Sequence, residues 1–147
     1  MPAQMSKVHA HCRCGKVSVE LVGPPMMRAT CYCGSCQAAA KMLGVSVDGE
    51  GGTDFTLYRK DRIGQVSGTE HLRDHRLTPG SPMRRLVAEC CQTPFAADFT
   101  KGHWLNFFAE SLPADSRPTI RSYTAPFMAK LILSWAAMGF RRPKLTW

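Results

Sequence analysis

The first clear pattern along the chain is a two-residue alternation. Between positions 16 and 22, apolar Val17, Val19 and Leu21 alternate with polar neighbours, as in a strand with one buried face. Gly23-Pro24-Pro25 stops it, and residues 27–32 predict a returning strand. Further short strands are predicted over 55–58, 64–67, 93–99 and 104–109. Residues 72–77 and 83–89 flank Thr78-Pro79-Gly80-Ser81-Pro82, a turn signal that predicts a hairpin. Two segments change period. Residues 37–43 suit a short helix closed by Gly44, and residues 125–140 form the longest helical candidate. The latter is apolar nearly all round. Phe127, Leu131, Trp135 and Met138 form a stripe, widened by Ile132 and Phe140, whose burial is expected on the domain or across a homodimer. The expected fold is mainly β, built of antiparallel sheets, with a short helix after Cys36 and a C-terminal helix.

With 147 residues, the chain suits one domain with a genuine core. We expect that domain over 1–112, and over 113–147 a polar connector and the tail helix, packed on the domain or on a partner subunit. A net charge of +8 is the one unusual bulk property. The basic residues are dispersed, with no run of five or six, so a solvated surface is favoured over a nucleic-acid face. No apolar stretch has the length of a membrane span, and the opening MPAQMSKVHA lacks a signal peptide's apolar run. The expectation is a cytoplasmic protein without a membrane partner, whose cysteines stay reduced.

Those cysteines decide the chemistry. Seven of them fall in three clusters: Cys12-Arg13-Cys14, Cys31-Tyr32-Cys33-Gly34-Ser35-Cys36, and Cys90-Cys91. Short spacings aim several sulfurs at one point, as a soft divalent metal requires, and zinc is the commonest case. Neighbouring cysteines in a short loop rarely meet the separation and torsion of a disulfide. One or two zinc ions per chain are therefore expected. Cys31, Cys33 and Cys36 form a self-contained triad that leaves a fourth position open, whereas Cys12 and Cys14 need distant partners, for which Cys90 and Cys91 remain. His9, His11, His71, His75 and His103 lack metal-ligand spacing, and Trp104, Phe107 and Phe108 are expected in the core.

Cys12-Arg13-Cys14-Gly15-Lys16-Val17, Cys31-Tyr32-Cys33-Gly34-Ser35-Cys36-Gln37 and Cys91-Gln92-Thr93-Pro94, in that order, resemble the glutathione-dependent formaldehyde-activating enzyme family, which includes centromere protein V. The likeness runs from about Val8 to Phe108. It implies a zinc-binding β-tent fold with a structural zinc on C-x-C plus C-x-x-C and an active-site zinc on C-x-C-x-x-C. The third motif departs from the family's C-x-x-C-G-T: Ala88 stands at its first cysteine and Gln92 at its glycine, as in a branch with a Cys-Cys-x-Thr-Pro signature. Cys91 matches the final ligand; Cys90 has no counterpart. The structural site is then Cys12 and Cys14 with both adjacent cysteines, or with Cys91 and an outside ligand, or it has lost its metal.

Two functions follow as expectations. One is a zinc-dependent carbon-sulfur lyase acting on an adduct of glutathione, or another small thiol, with formaldehyde or a related aldehyde. Cys31, Cys33 and Cys36 would hold the catalytic zinc, and Arg73, Arg76, Arg84 or Arg85 would receive the anionic thiol. The other is a non-catalytic zinc module that binds protein or nucleic acid. A fourth protein ligand closing the triad would favour the module.

Overall fold

The computed structural model describes residues 6–112, 120–121, 125–143, 145 and 147. The strands are β1 (Lys7–His11), β2 (Ser18–Val22), β3 (Met27–Cys31), β4 (Thr53–Arg59) and β5 (Ile63–Ser67). They continue with β6 (Leu72–His75), β7 (Met83–Ala88), β8 (Thr93–Phe99), β9 (Trp104–Phe108) and the short β10 (Ile120–Arg121). The helices are α1 (Gly34–Leu43) and α2 (Ala125–Ala137). The protein is mainly β, as the alternation predicts. Strands β1, β2 and β5 form a small antiparallel sheet. The larger sheet has the order β10-β3-β4-β9-β8-β7-β6, antiparallel except for the parallel β10–β3 pair at its edge.

Period-2 alternation gives the large sheet two apolar faces. Tyr58, Leu86, Phe95, Leu105 and Phe107 point toward the small sheet and pack with Val17, Val19 and Leu21. The opposite face carries Met27, Ala29, Phe55, Leu57 and Ala97, over which α2 lays Phe127 and Leu131. Burying a large apolar side chain of this kind is worth about 1.5–3 kcal/mol. These two cores stack small sheet, large sheet and helices as successive layers.

Several expectations need correction. The first helix begins at Gly34, so Cys36 lies in its first turn instead of before it. Strand β1 carries little apolar alternation, with only Ala10 buried, and was not predicted. In α2 the buried stripe is narrower than expected. The helix ends at Ala137 instead of Phe140. Phe127 and Leu131 are buried, as is Met138 just past its end, Trp135 is half-buried, and Ile132 is 56% and Phe140 58% exposed. Met128 and Leu133 are also exposed, because α2 touches the sheet along one side. The expected connector at 113–118 lies outside the described residues.

Candidate metal centres

Two tight turns from different sheets build the first centre. After β1 the chain folds back on itself. The Cys12 N–H donates to Val17 O at 3.1 Å, and Gly15, at φ 80°, donates to Cys12 O at 3.0 Å. A glycine meets that positive φ without Cβ strain. The second turn joins β7 to β8 through Cys90, Cys91 and Gln92, with Gln92 at φ 55°. The two turns place Cys12, Cys14, Cys90 and Cys91 together, their sulfurs within 4.8 Å of one another. Sulfur separations are 3.6 Å for Cys12–Cys14, 3.7 Å for Cys12–Cys90, 3.4 Å for Cys14–Cys90 and 3.9 Å for Cys90–Cys91. A tetrahedral zinc with sulfurs at about 2.3 Å has edges of about 3.8 Å, so the four sulfurs suit that ion. Both adjacent cysteines belong to the group, and no outside ligand is needed.

The second centre stands where β3 hands the chain to α1. Cys31 ends β3, Cys33 caps the helix, and Cys36 lies in its first turn. The Cys36 N–H donates to Cys33 Sγ at 3.3 Å, which satisfies one of the free amides at the helix start. The helix itself follows from Ala38-Ala39-Ala40, and Gly44 closes it at φ 72°. Sulfur separations are 3.3 Å for Cys31–Cys33 and 3.2 Å for Cys31–Cys36. The sulfurs need to spread by roughly half an ångström to seat an ion of zinc's size. Among the described residues no fourth sulfur, imidazole or carboxylate joins the triad.

Crowded thiols resist losing successive protons. Hydrogen bonding with Cys31, then burial, push the Cys36 thiol far above its ordinary range. Burial, then hydrogen bonds from Cys14, Cys12 and Cys91, raise Cys90 to about 12. At Cys91 burial acts upward, but hydrogen bonds from Thr93, Cys14 and Cys12 outweigh it and bring the thiol down to about 6. The Thr93 hydroxyl lies 3.0 Å from Cys91 Sγ. A divalent cation reverses the repulsion by binding every sulfur as thiolate.

The triad opens into a cavity of about 360 Å³ between the large sheet and α2. Alternation decides which hairpin arginine reaches it. On β7, Arg85 shares a face with Met83 and is only 3% exposed. Its Nη2 lies 4.0 Å from Cys36 Sγ, its hydrogen-bonding contact among the described residues. Arg84 points the other way, to Asp98 on β8 at 2.9 Å. Arg73 pairs with Glu89 at 2.8 Å, and Arg76 with Asp74 at 3.2 Å and the Ser81 carbonyl. Trp104 lines the cavity, while Phe107 and Phe108 are core. Asn106 and Ser35, which sequence reasoning did not single out, also line it. Asn106 accepts from Trp104 Nε1 at 3.1 Å and donates to Ala97 O at 2.9 Å, so its amide mainly braces the wall. The phase of Arg85 with Met83 was the available signal for Arg85; Asn106 offered none.

Residues 5–134 match a family described as a family of unknown function (DUF6151). The chain belongs to that family. No curated protein matches it. The crystal structure of a Rhodobacter sphaeroides protein, a Northeast Structural Genomics target, is similar over 78% of this chain and 99% of that one, with a TM-score of 0.54 and 14% identity. That likeness concerns the fold. No helix among the described residues is long and apolar enough to cross a membrane.

Proposed function

We propose that this chain is a zinc-dependent carbon-sulfur lyase acting on the aldehyde adduct of a small thiol. The observation that carries the reading is a three-cysteine group, without a fourth protein ligand among the described residues, opening into a largely apolar cavity. The motifs that resemble the formaldehyde-activating family support it. Zinc held by Cys31, Cys33 and Cys36 would supply a Lewis-acidic fourth position for a sulfur.

The chain's own groups do the remainder. Three thiolates leave a zinc centre with one net negative charge, which weakens it as a Lewis acid. Arg85, buried beside Cys36, cancels that charge and favours arrival of a further anionic sulfur. For an S-hydroxymethyl adduct, cleavage breaks the carbon-sulfur bond and leaves the electron pair on sulfur. The hydroxyl proton passes to water as the aldehyde carbonyl forms; no redox partner is needed. The reverse direction forms the same bond.

Magnetisation-exchange NMR on zinc-loaded protein with a thiol and formaldehyde tests this reading. Exchange between free and S-hydroxymethyl thiol should accelerate with wild-type protein and fall to the uncatalysed rate with Cys33→Ser. Full zinc occupancy with no acceleration for any thiol would support a non-catalytic module instead.

A further inference from the structure

The cavity wall bears on which thiol the site takes. Phe127, Met128 and Leu131 of α2 face Phe55, Leu57 and Trp104 of the large sheet. Apart from the cysteines, Arg85 is the one ionisable side chain in the lining among the described residues. Its charge is already matched to the triad, from which it stands 4.0 Å at Cys36 Sγ. Asn106 is held by Trp104 and Ala97, and the Ser35 hydroxyl lies 3.2 Å from Cys33 Sγ. Among the described residues the wall thus offers one guanidinium, which faces the triad, no carboxylate to receive an ammonium and no second cation for a second carboxylate.

Glutathione carries two carboxylates and an ammonium. Inside the cavity the ammonium would meet no carboxylate of the wall and the two carboxylates would share a single guanidinium, and an unpaired buried ion is strongly disfavoured. An alkyl or aryl thiol gains on entering the same space, since apolar burial is favourable and its only charge is the sulfur destined for the triad. We infer that the substrate is an apolar, otherwise uncharged thiol, taken as its aldehyde adduct, and that α2 is the wall that selects it. This rests on the lyase reading above and narrows its substrate class. Helix α2 lies beyond the stretch that resembles the formaldehyde-activating family, so this selectivity belongs to a segment the resemblance does not cover.

The test uses the full chain loaded with cobalt(II), whose sulfur-to-metal absorption reports a thiol joining the triad without requiring turnover. Phenylmethanethiol, hexanethiol and glutathione are titrated separately. The apolar thiols should bind at least about tenfold more tightly than glutathione. Leu131→Asn should reduce that preference by about tenfold while leaving the cobalt content unchanged. Equal or tighter binding of glutathione would overturn the apolar-substrate inference and leave the lyase reading standing. No spectral response to any thiol in a fully loaded triad would remove both. A preference unchanged in Leu131→Asn, with Phe127→Ala as a second variant also unchanged, would overturn the role of α2.

Discussion

At the scale of single residues, Gln92 and Cys33 are the most informative positions. Gln92 sits at φ 55°, in the left-handed region, and an L-residue there costs about 1–2 kcal/mol. Its side chain recovers part of that by donating to Glu89 O at 3.3 Å. Gln92→Gly should therefore raise the urea midpoint by the equivalent of about 0.5–1 kcal/mol with metal content unchanged. Cys33 has two tasks, as a sulfur of the triad and as the cap of α1. Serine can perform the second but not the first, because its oxygen accepts the same amide hydrogen bond. Cys33→Ser should lose one zinc per chain, while the metal-free forms of variant and wild type differ in stability by less than about 1 kcal/mol, read by metal analysis and urea unfolding. Global unfolding of this variant would make the triad structural.

Among the elements, α2 has a pH-sensitive attachment. His103, just before β9, is 4% exposed, its Nε2 lies 2.8 Å from Ser134 Oγ, and its ring stacks on Trp135 with centroids 6.0 Å apart. Ser134 donates its own proton to Leu131 O at 2.9 Å, so Nε2–H of a neutral imidazole donates to Ser134. Burial, then the charges of Arg59 and Lys60, lower the His103 pKa to about 4 from an ordinary 6.5; Asp61 acts in the opposite sense, and Arg142 adds to the lowering. Between those values the unfolded chain binds more protons than the folded one. Stability from this contact is thus fully present above about pH 7 and is lost as pH falls from 6.5 toward 4. The melting temperature should fall across that window, and His103→Gln should flatten the slope. An unchanged slope would locate the acid sensitivity elsewhere.

For the whole molecule, a metal held by the four-cysteine group would clamp the two layers together. Cys12 and Cys14 come from the β1–β2 turn of the small sheet, and Cys90 and Cys91 from the β7–β8 turn of the large one. Metal binding energy in such a site is folding energy, of order 10 kcal/mol in isolated zinc modules. Cys90→Ser should reduce metal content by one ion. It should also speed amide hydrogen exchange in β1, β2 and β5 more than in β3 and β4, where packing against α2 persists. Equal acceleration in both sheets would mean that the layers unfold as one unit and that the clamp has no local role.

Much of this was legible in the chain itself. The alternation of Val17, Val19 and Leu21 and the Thr78-Pro79-Gly80-Ser81-Pro82 turn predict their strands and hairpin, because side-chain period and turn chemistry are local properties. The Cys31, Cys33 and Cys36 grouping is equally local, since a few residues of chain confine its sulfurs. Other features depend on partners far apart in sequence. The membership of Cys90 in the tetrad needs the packing of two sheets, and the narrow buried stripe of α2 depends on which side meets β3. The separation of Arg84 from Arg85 follows from alternation, but only strand pairing and the covering helix decide that one meets Asp98 on β8 and the other a cysteine-lined cavity. Sequence sets the period and chemistry of each segment; burial and charge compensation arise only when distant segments share one space.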